Sequence, residues 1–379
     1  MKDQFFIDYD ETVLIHRKSK TNPVPMFQVQ TRLGGGGFGA VYEAKNLEAK
    51  ESEDRKVVLK LERSDAQHPQ NSLKIEYKIY TKLHNRKSTR LAHFAFFHRF
   101  QSEVELAYKY RPNSGINNGR LEPGRAFFNI LALEQLGPDL DKILRFAKRT
   151  NFCKINNHLN RRNKGLSFTT VVNIGEQLYS GLQYLHEKGI IHRDIKPLNI
   201  CAGRGKRSQN IFIVDFGLSK IYKYGDNLME DEHYLGPGTS MYKSINITKG
   251  SSGQSAVSSA SLRDDCISAV YVLLEMYRGS LWWSQLDPKQ QAEKVHEMKK
   301  EWLDENNWKE KFEELLPLCR IMEELHVTDF NEMPPYKKIE KELDELKKHK
   351  YFRKEELDWV IKENGFAELW TAKKARKSH

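Results

Sequence analysis

The hydrophobic period of this chain changes near residue 139, and that change limits the fold more than any other feature. Before it, period two dominates. Phe27, Val29 and Thr31 alternate with Gln28, Gln30 and Arg32, as in a half-buried strand. A glycine run, Gly34 to Gly37 and Gly39, reads as a turn, and Ala40 to Ala44 as the return strand. Lys56 to Leu61 is a third strand rich in β-branched residues. One helix is expected over 71–84, where Leu73, Tyr77 and Tyr80 fall at helical spacing behind Pro69. Strand-like runs recur at 91–100 and 127–134, separated by a turn-rich insertion at 111–125. After residue 139 the period is helical. Val171, Ile174, Leu178, Leu182 and Leu185 trace one face of a long helix ending near Gly189. Leu262–Tyr277 carries a buried-helix pattern, and 289–365 reads as largely helical, with Ile339, Leu343 and Leu346 on one apolar face. The expectation is an α+β, bilobal fold: a small β-rich lobe with one helix, then a larger helical lobe.

Composition narrows the class. At 379 residues, 39% apolar and 30% charged, the chain reads as globular, and it holds no apolar run of membrane-spanning length. The N-terminus has no apolar signal core, so secretion is not expected. Cys153, Cys201, Cys266 and Cys319 are far apart, which argues against a disulfide framework or a zinc site and fits a reducing compartment. The net charge of +11 suits acidic partners of several kinds. No zinc-finger spacing, RNP-like aromatic string or dominant basic helix accompanies it, so no nucleic acid is expected.

Four short motifs carry the chemistry. Leu33-Gly34-Gly35-Gly36-Gly37-Phe38-Gly39-Ala40-Val41 is a strand–turn–strand whose glycines let the backbone approach phosphates. A dinucleotide-binding turn would lead into a helix, but here a strand follows, with Val41 placed to cover an adenine ring. Lys60 lies inside an apolar strand, and Glu76 on the next helix offers it an anionic partner, provided that helix packs on the sheet. His192-Arg193-Asp194-Ile195-Lys196-Pro197-Leu198-Asn199 follows the long helix. In it Asp194 suits a substrate hydroxyl, Lys196 the charge of a transferring phosphoryl, and Asn199 a Mg²⁺ ion. His192 reads as packed rather than as a base. Asp215-Phe216-Gly217, after the apolar run Ile211–Val214, adds a second carboxylate for the metal.

The order of these motifs resembles the protein-kinase signature set. Further strings resemble the casein kinase 1 superfamily over roughly residues 27–350: His68-Pro69-Gln70, Leu136-Gly137-Pro138-Asp139-Leu140, Gly238-Thr239-Ser240-Met241-Tyr242-Lys243-Ser244-Ile245-Asn246, Arg263-Asp264-Asp265 and Gly279-Ser280-Leu281-Trp282-Trp283. The insertions are most like the tau-tubulin-kinase-like and nematode-expanded branches. The resemblance implies a serine/threonine protein kinase using ATP and Mg²⁺. Glu134 and Leu136 are then adenine contacts beside a gatekeeper Leu133, and Thr239 binds Asp194 and Lys196. Asp265 braces the catalytic loop, and Asp139 either reaches the ribose or caps the next helix. A pseudokinase scaffold of the same fold is the alternative.

Departures from the family bear on substrates. Its preference for acidic or primed acceptors depends on an arginine where this chain has Met241, with Lys294 a less secure second element and Lys243 a partial substitute. Met229–His233 is acidic where the family tends to be basic, so weaker dependence on priming is expected. The insertion 148–164 is basic and acid-free: either a solvated loop or a docking site for an acidic partner. Expected domains are an N-terminal extension (1–25), a kinase domain (26–350, with lobes 26–135 and 136–350) and a helical segment with a basic tail (351–379). A monomer acting on protein Ser/Thr hydroxyls in signalling, cytoplasmic and possible in the nucleus, without membrane attachment, completes the expectation.

Overall fold

The computed structural model describes residues 14–15, 27–36, 39–47, 49, 56–63, 72–84, 103–105, 127–150, 165–222, 241–247, 260–287, 290–360, 366 and 369. These fall into two compact units, one up to Gln135 and one from Leu136 onward.

The first unit is a six-stranded antiparallel sheet with one helix. Its strands are β1 (Leu14–Ile15), β2 (Phe27–Gly36), β3 (Gly39–Asn46), β4 (Lys56–Arg63), β5 (Glu103–Glu105) and β6 (Phe127–Glu134), in the order β1-β2-β3-β4-β6-β5. The helix is α1 (Ser72–His84). Side chains alternate across β4. Val57, Leu59 and Leu61 enter a core with Phe27, Tyr42, Ala44, Ile130 and Ala132. Lys60 and Glu62 fall on the other face, and both bind α1. The Glu62 carboxylate accepts from the Ser72 and Leu73 backbone N–H groups at 3.0 and 3.2 Å and from the Ser72 hydroxyl, satisfying orphan donors of the first turn. Part of the glycine run is strand rather than turn: Gly34, Gly35 and Gly36 remain in β2, opposite Val41, Ala40 and Gly39. Gly39 has φ +150°, and a Cβ there would lie 2.0 Å from the Leu61 carbonyl oxygen, so only glycine fits.

The second unit is mostly helical: α2 (Leu140–Arg149), α3 (Phe168–Glu187), α4 (Leu262–Arg278), α5 (Ala292–Glu301), α6 (Glu305–Phe312), α7 (Leu316–Val327) and α8 (Tyr336–Lys348). Two small antiparallel pairs complete it, β7 (Ile190–Ile191) with β10 (Lys220–Ile221) and β8 (Ile200–Ala202) with β9 (Ile211–Ile213). The caps explain the helix limits. Ser167 accepts from the Thr170 N–H at the start of α3, and Gly189, at φ +67°, follows its end. Ser261 and Asp264 form a reciprocal capping box on α4, and Gly279, at φ +93°, ends it. Val171, Ile174, Leu178, Leu182 and Leu185 are all buried against α4 and its neighbours. No helix among the described residues is long and apolar enough to cross a membrane.

One expectation is corrected past residue 350. Residues 351–360 form turns and bends rather than helix, and they belong to the second unit. Their polar groups bind the start of α3. The Asp358 carboxylate accepts from the Ser167 N–H at 2.7 Å, and the Asp358 N–H donates to the Thr170 hydroxyl at 2.9 Å. The Trp359 indole N–H donates to the Ser208 carbonyl at 2.9 Å, and the Phe366 ring lies 4.9 Å from Phe146. Long-range contacts, rather than an i to i+4 ladder, hold this segment, and a helical pattern cannot foresee them. The strand expected at 91–100 and the insertion 111–125 lie outside the described residues.

Candidate active site

The first unit carries a paired cation. Strand alternation turns Lys60 toward α1, where its ammonium donates to both Glu76 carboxylate oxygens, at 2.8 and 3.0 Å. Glu76 is 1% exposed, so α1 does pack on the sheet and the solvated-face reading of this residue fails. Leu33 and Gly34 are exposed on β2, and Val41 is half-buried on β3, directly opposite both Gly34 and Lys60. Gly36 lies at the end of β2, and Gly37 and Phe38 lie outside the described residues. Leu133 is buried on β6 opposite Val58, and Glu134 pairs with Val57 as the last residue of that strand.

In the second unit the backbone after Glu134 is shaped by β8. The Gly137 N–H donates to the Ala202 carbonyl and the Ala202 N–H to the Pro138 carbonyl, at 2.8 and 2.9 Å, leaving Leu136 half-buried. Asp139 bridges to Cys201 and caps α2, its carboxylate accepting from the Lys142 N–H at 2.8 Å. Its second oxygen meets the Lys142 ammonium at 2.8 Å, so of the two readings for Asp139 the cap is the one observed.

The loop 192–199 is fixed from beneath. Asp265, 2% exposed, accepts from the His192 N–H at 2.7 Å and from the Arg193 N–H at 2.8 Å, and its carboxylate lies 3.2 Å from His186 Nε2. These bonds hold Arg193 at φ +68°, a left-handed conformation that costs a non-glycine residue on the order of 1–2 kcal/mol. Arg193 Nε also donates to the Leu218 carbonyl at 2.6 Å. His192 is fully buried, with Nε2 at 3.1 Å from the Val214 carbonyl and Nδ1 accepting from the Asp194 N–H, so it is a packed residue, as expected.

Asp194 is thereby presented with its neighbours around it. The Lys196 ammonium donates to Asp194 Oδ2 at 2.6 Å, and the Asn199 amide nitrogen donates to the Asp194 carbonyl and to Oδ2, at 2.8 and 3.0 Å. The Val214 N–H donates to the Asn199 carbonyl at 2.9 Å, extending the β8–β9 pairing, so that Asp215 follows directly on the residue bound to Asn199. Asp215 has φ +70°, the other left-handed non-glycine among the described residues. Asn199 binds Asp194 through its NH₂ group, so its amide oxygen is the atom that would meet a cation. An amide and a carboxylate oxygen suit Mg²⁺, a hard cation that keeps most of its shell for water and phosphate. Among the described residues no group of three or more His, Cys, Asp or Glu forms a metal site by itself.

Thr239 lies outside the described residues, but the chain beyond it, 241–247, is ordered by contacts that its sequence does not announce. The Trp283 indole donates to the Met241 carbonyl at 2.9 Å, Ser268 Oγ to the Tyr242 carbonyl at 2.7 Å and Lys299 Nζ to the Lys243 carbonyl at 2.7 Å. The Tyr242 hydroxyl donates to Glu275, and burial raises the Glu275 carboxyl above the ordinary range. Ser244 is fully buried, and Asn246 donates to Asp264 at 3.4 Å. Burial raises Asp264, while hydrogen bonds from Ser261 and Ser244 oppose the shift. Burial lowers the half-buried Lys243, and the Asp194 charge opposes that shift, which places the two side chains in one electrostatic field. Lys294 is exposed on α5.

The family model for the protein kinase domain matches residues 130–352, more than half of the chain, and the chain belongs to that family. The match takes in the loop at 192–199, Asp-Phe-Gly at 215–217 and Asp265. Lys60, Glu76 and the glycine hairpin lie ahead of it.

Proposed function

We propose that this protein is an active serine/threonine protein kinase of the casein kinase 1 type. The observation that carries the reading is the Asp194–Lys196–Asn199 cluster on a loop braced by Asp265. Bound Mg·ATP supplies the γ-phosphoryl group and the charge neutralisation for its departure. Asp194, its Oδ2 held by Lys196 and Asn199, orients the acceptor hydroxyl and takes its proton, while Lys196 balances the negative charge next to it. Asn199 and Asp215 are the metal-binding residues, and Lys60, steadied by Glu76, serves the phosphates. Leu33, Gly34, Gly36, Gly37, Phe38, Gly39 and Val41 cover the nucleotide, with Glu134 and Leu136 as backbone contacts for adenine.

The lysine at 196 supports Ser/Thr over Tyr acceptors. The Ser-Ile-Asn string supports the casein kinase 1 type, since Ser244 and Asn246 tie this stretch to the Asp264 cap of α4. An intact Lys60–Glu76 pair and both metal-binding residues favour activity over a pseudokinase role. Met241 in place of arginine favours weak dependence on primed acceptors. The remaining reading is a monomer acting in cytoplasm or nucleus, with an acidic partner docking at 148–164.

The test is transfer of labelled γ-phosphoryl from Mg·ATP to Ser/Thr and Tyr acceptor peptides. Wild type should label Ser/Thr peptides. Asp194→Asn should lower kcat by roughly 10²–10⁴-fold with ATP still bound, and Asp215→Ala should abolish turnover. A wild type that binds ATP and transfers nothing is a pseudokinase. A strong requirement for upstream phosphoserine on a peptide array would refute the specificity assignment.

A further inference from the structure

α5 buries two side chains on one face, Val295 and, one turn later, Lys299. Lys299 is 0% exposed, where helical patterning would call for leucine or methionine. Burying an ammonium is costly, and an apolar residue of the same size would fill the space without that cost. The Lys299 ammonium sits 5.2 Å from the Tyr271 ring centre and 5.3 Å from that of Trp283, and it donates to the Lys243 carbonyl.

That bond completes a series. The carbonyls of Met241, Tyr242 and Lys243 are bound in turn by Trp283, by Ser268 on α4 and by Lys299 on α5. The segment is turn and 3-10 structure, so no strand ladder satisfies these acceptors and side chains do so instead. Three successive peptide planes are thereby fixed, and with them the direction of Lys243. Lys243, Asp194, Tyr242 and Ser268 line one small recess of about 10 Å³, room for a single water.

We infer that Lys299 is a positioning residue for the protein acceptor: through the Lys243 carbonyl it holds 241–243 so that Lys243 faces Asp194 where the hydroxyl-bearing segment must lie. This rests on the kinase reading above. Lys299 is fully buried and acts through the Lys243 carbonyl, so its loss should act on the acceptor and leave ATP alone.

Two full-length variants test it, Lys299→Met and the milder Ser268→Ala, by hydrogen exchange and by steady-state kinetics. Lys299→Met should speed exchange across 241–247 and raise the acceptor KM, each by about 10-fold or more, with the ATP KM within about twofold. Ser268→Ala should move the same two quantities in the same direction by a smaller factor, and it decides the matter if Lys299→Met does not fold. Wild-type exchange across 241–247, or an ATP KM that rises in step with the acceptor KM, overturns the inference. A wild type that transfers nothing sinks the kinase reading and the acceptor role with it, while the exchange measurement still accepts or rejects the clasp.

Discussion

Two buried carboxylates, one in each unit, are put to opposite uses. Glu76 is 1% exposed and gives both oxygens to a single ammonium, Lys60. Asp265 is 2% exposed and gives its oxygens to two backbone N–H groups and to His186. The first fixes where a charge points, and the strand around Lys60 is already set by its ladder. The second fixes a backbone, since no ladder exists at 192–194 and Arg193 stands in a left-handed conformation. A carboxylate bound to lysine should therefore matter to ligand binding, and one bound to main-chain N–H groups to folding.

Asp265→Ala is the strongest attempt to break that contrast. It leaves two buried N–H donors and His186 without their acceptor, so it should lower stability by about 3–5 kcal/mol and abolish transfer. Urea unfolding followed by tryptophan fluorescence measures this, and a loss confined to activity would refute it. Glu76→Gln comes next. It should raise the ATP KM by roughly 10–100-fold, matching the ~1.5–3 kcal/mol of a charge-assisted bond, while the urea midpoint hardly moves.

Asp139→Ala removes a cap rather than a brace. It should cost about 1 kcal/mol, read as a small fall in melting temperature with kcat unchanged. The smallest effect sharpens the comparison through pH. Burial raises the Asp358 carboxyl above its ordinary range despite its bonds to Ser167 and Thr170. Its unfolded form therefore ionises first, and the stability it contributes is full below the unfolded pKa of about 3.9 and lost as pH rises through the folded value. Asp358→Asn, which keeps an acceptor for the Ser167 N–H, should melt slightly higher than wild type at pH 7. That gain should vanish as the pH falls toward 4. An unchanged difference across this range would show that ionisation at Asp358 is not what separates the two proteins.

Much of this was legible along the chain because its causes are local. Period two over 27–31, the strand-like run at 127–134, helical spacing over 171–185 and the helix end near Gly189 each act within one or two turns. The spacing of Asp194, Lys196 and Asn199 was equally readable, because six consecutive residues of one loop carry the whole cluster. The glycine run misled about the turn, since Gly34, Gly35 and Gly36 pair across the hairpin as ordinary strand residues. The Asp139 cap was one of two open readings, and a side chain's choice between them depends on how the next helix starts.

By itself, then, the sequence determined the change from sheet to helix, the end of α3 near Gly189 and the order of the chemical groups, all set by contacts a few residues apart. Only the tertiary structure decided that Glu76 faces Lys60, that Asp265 braces a loop 72 residues behind it, that Asp358 holds the start of α3, and that Lys299 is buried on a carbonyl. The reason is physical. Such bonds join residues distant in the chain through buried polar atoms, and no local periodicity records which buried donor will meet which acceptor.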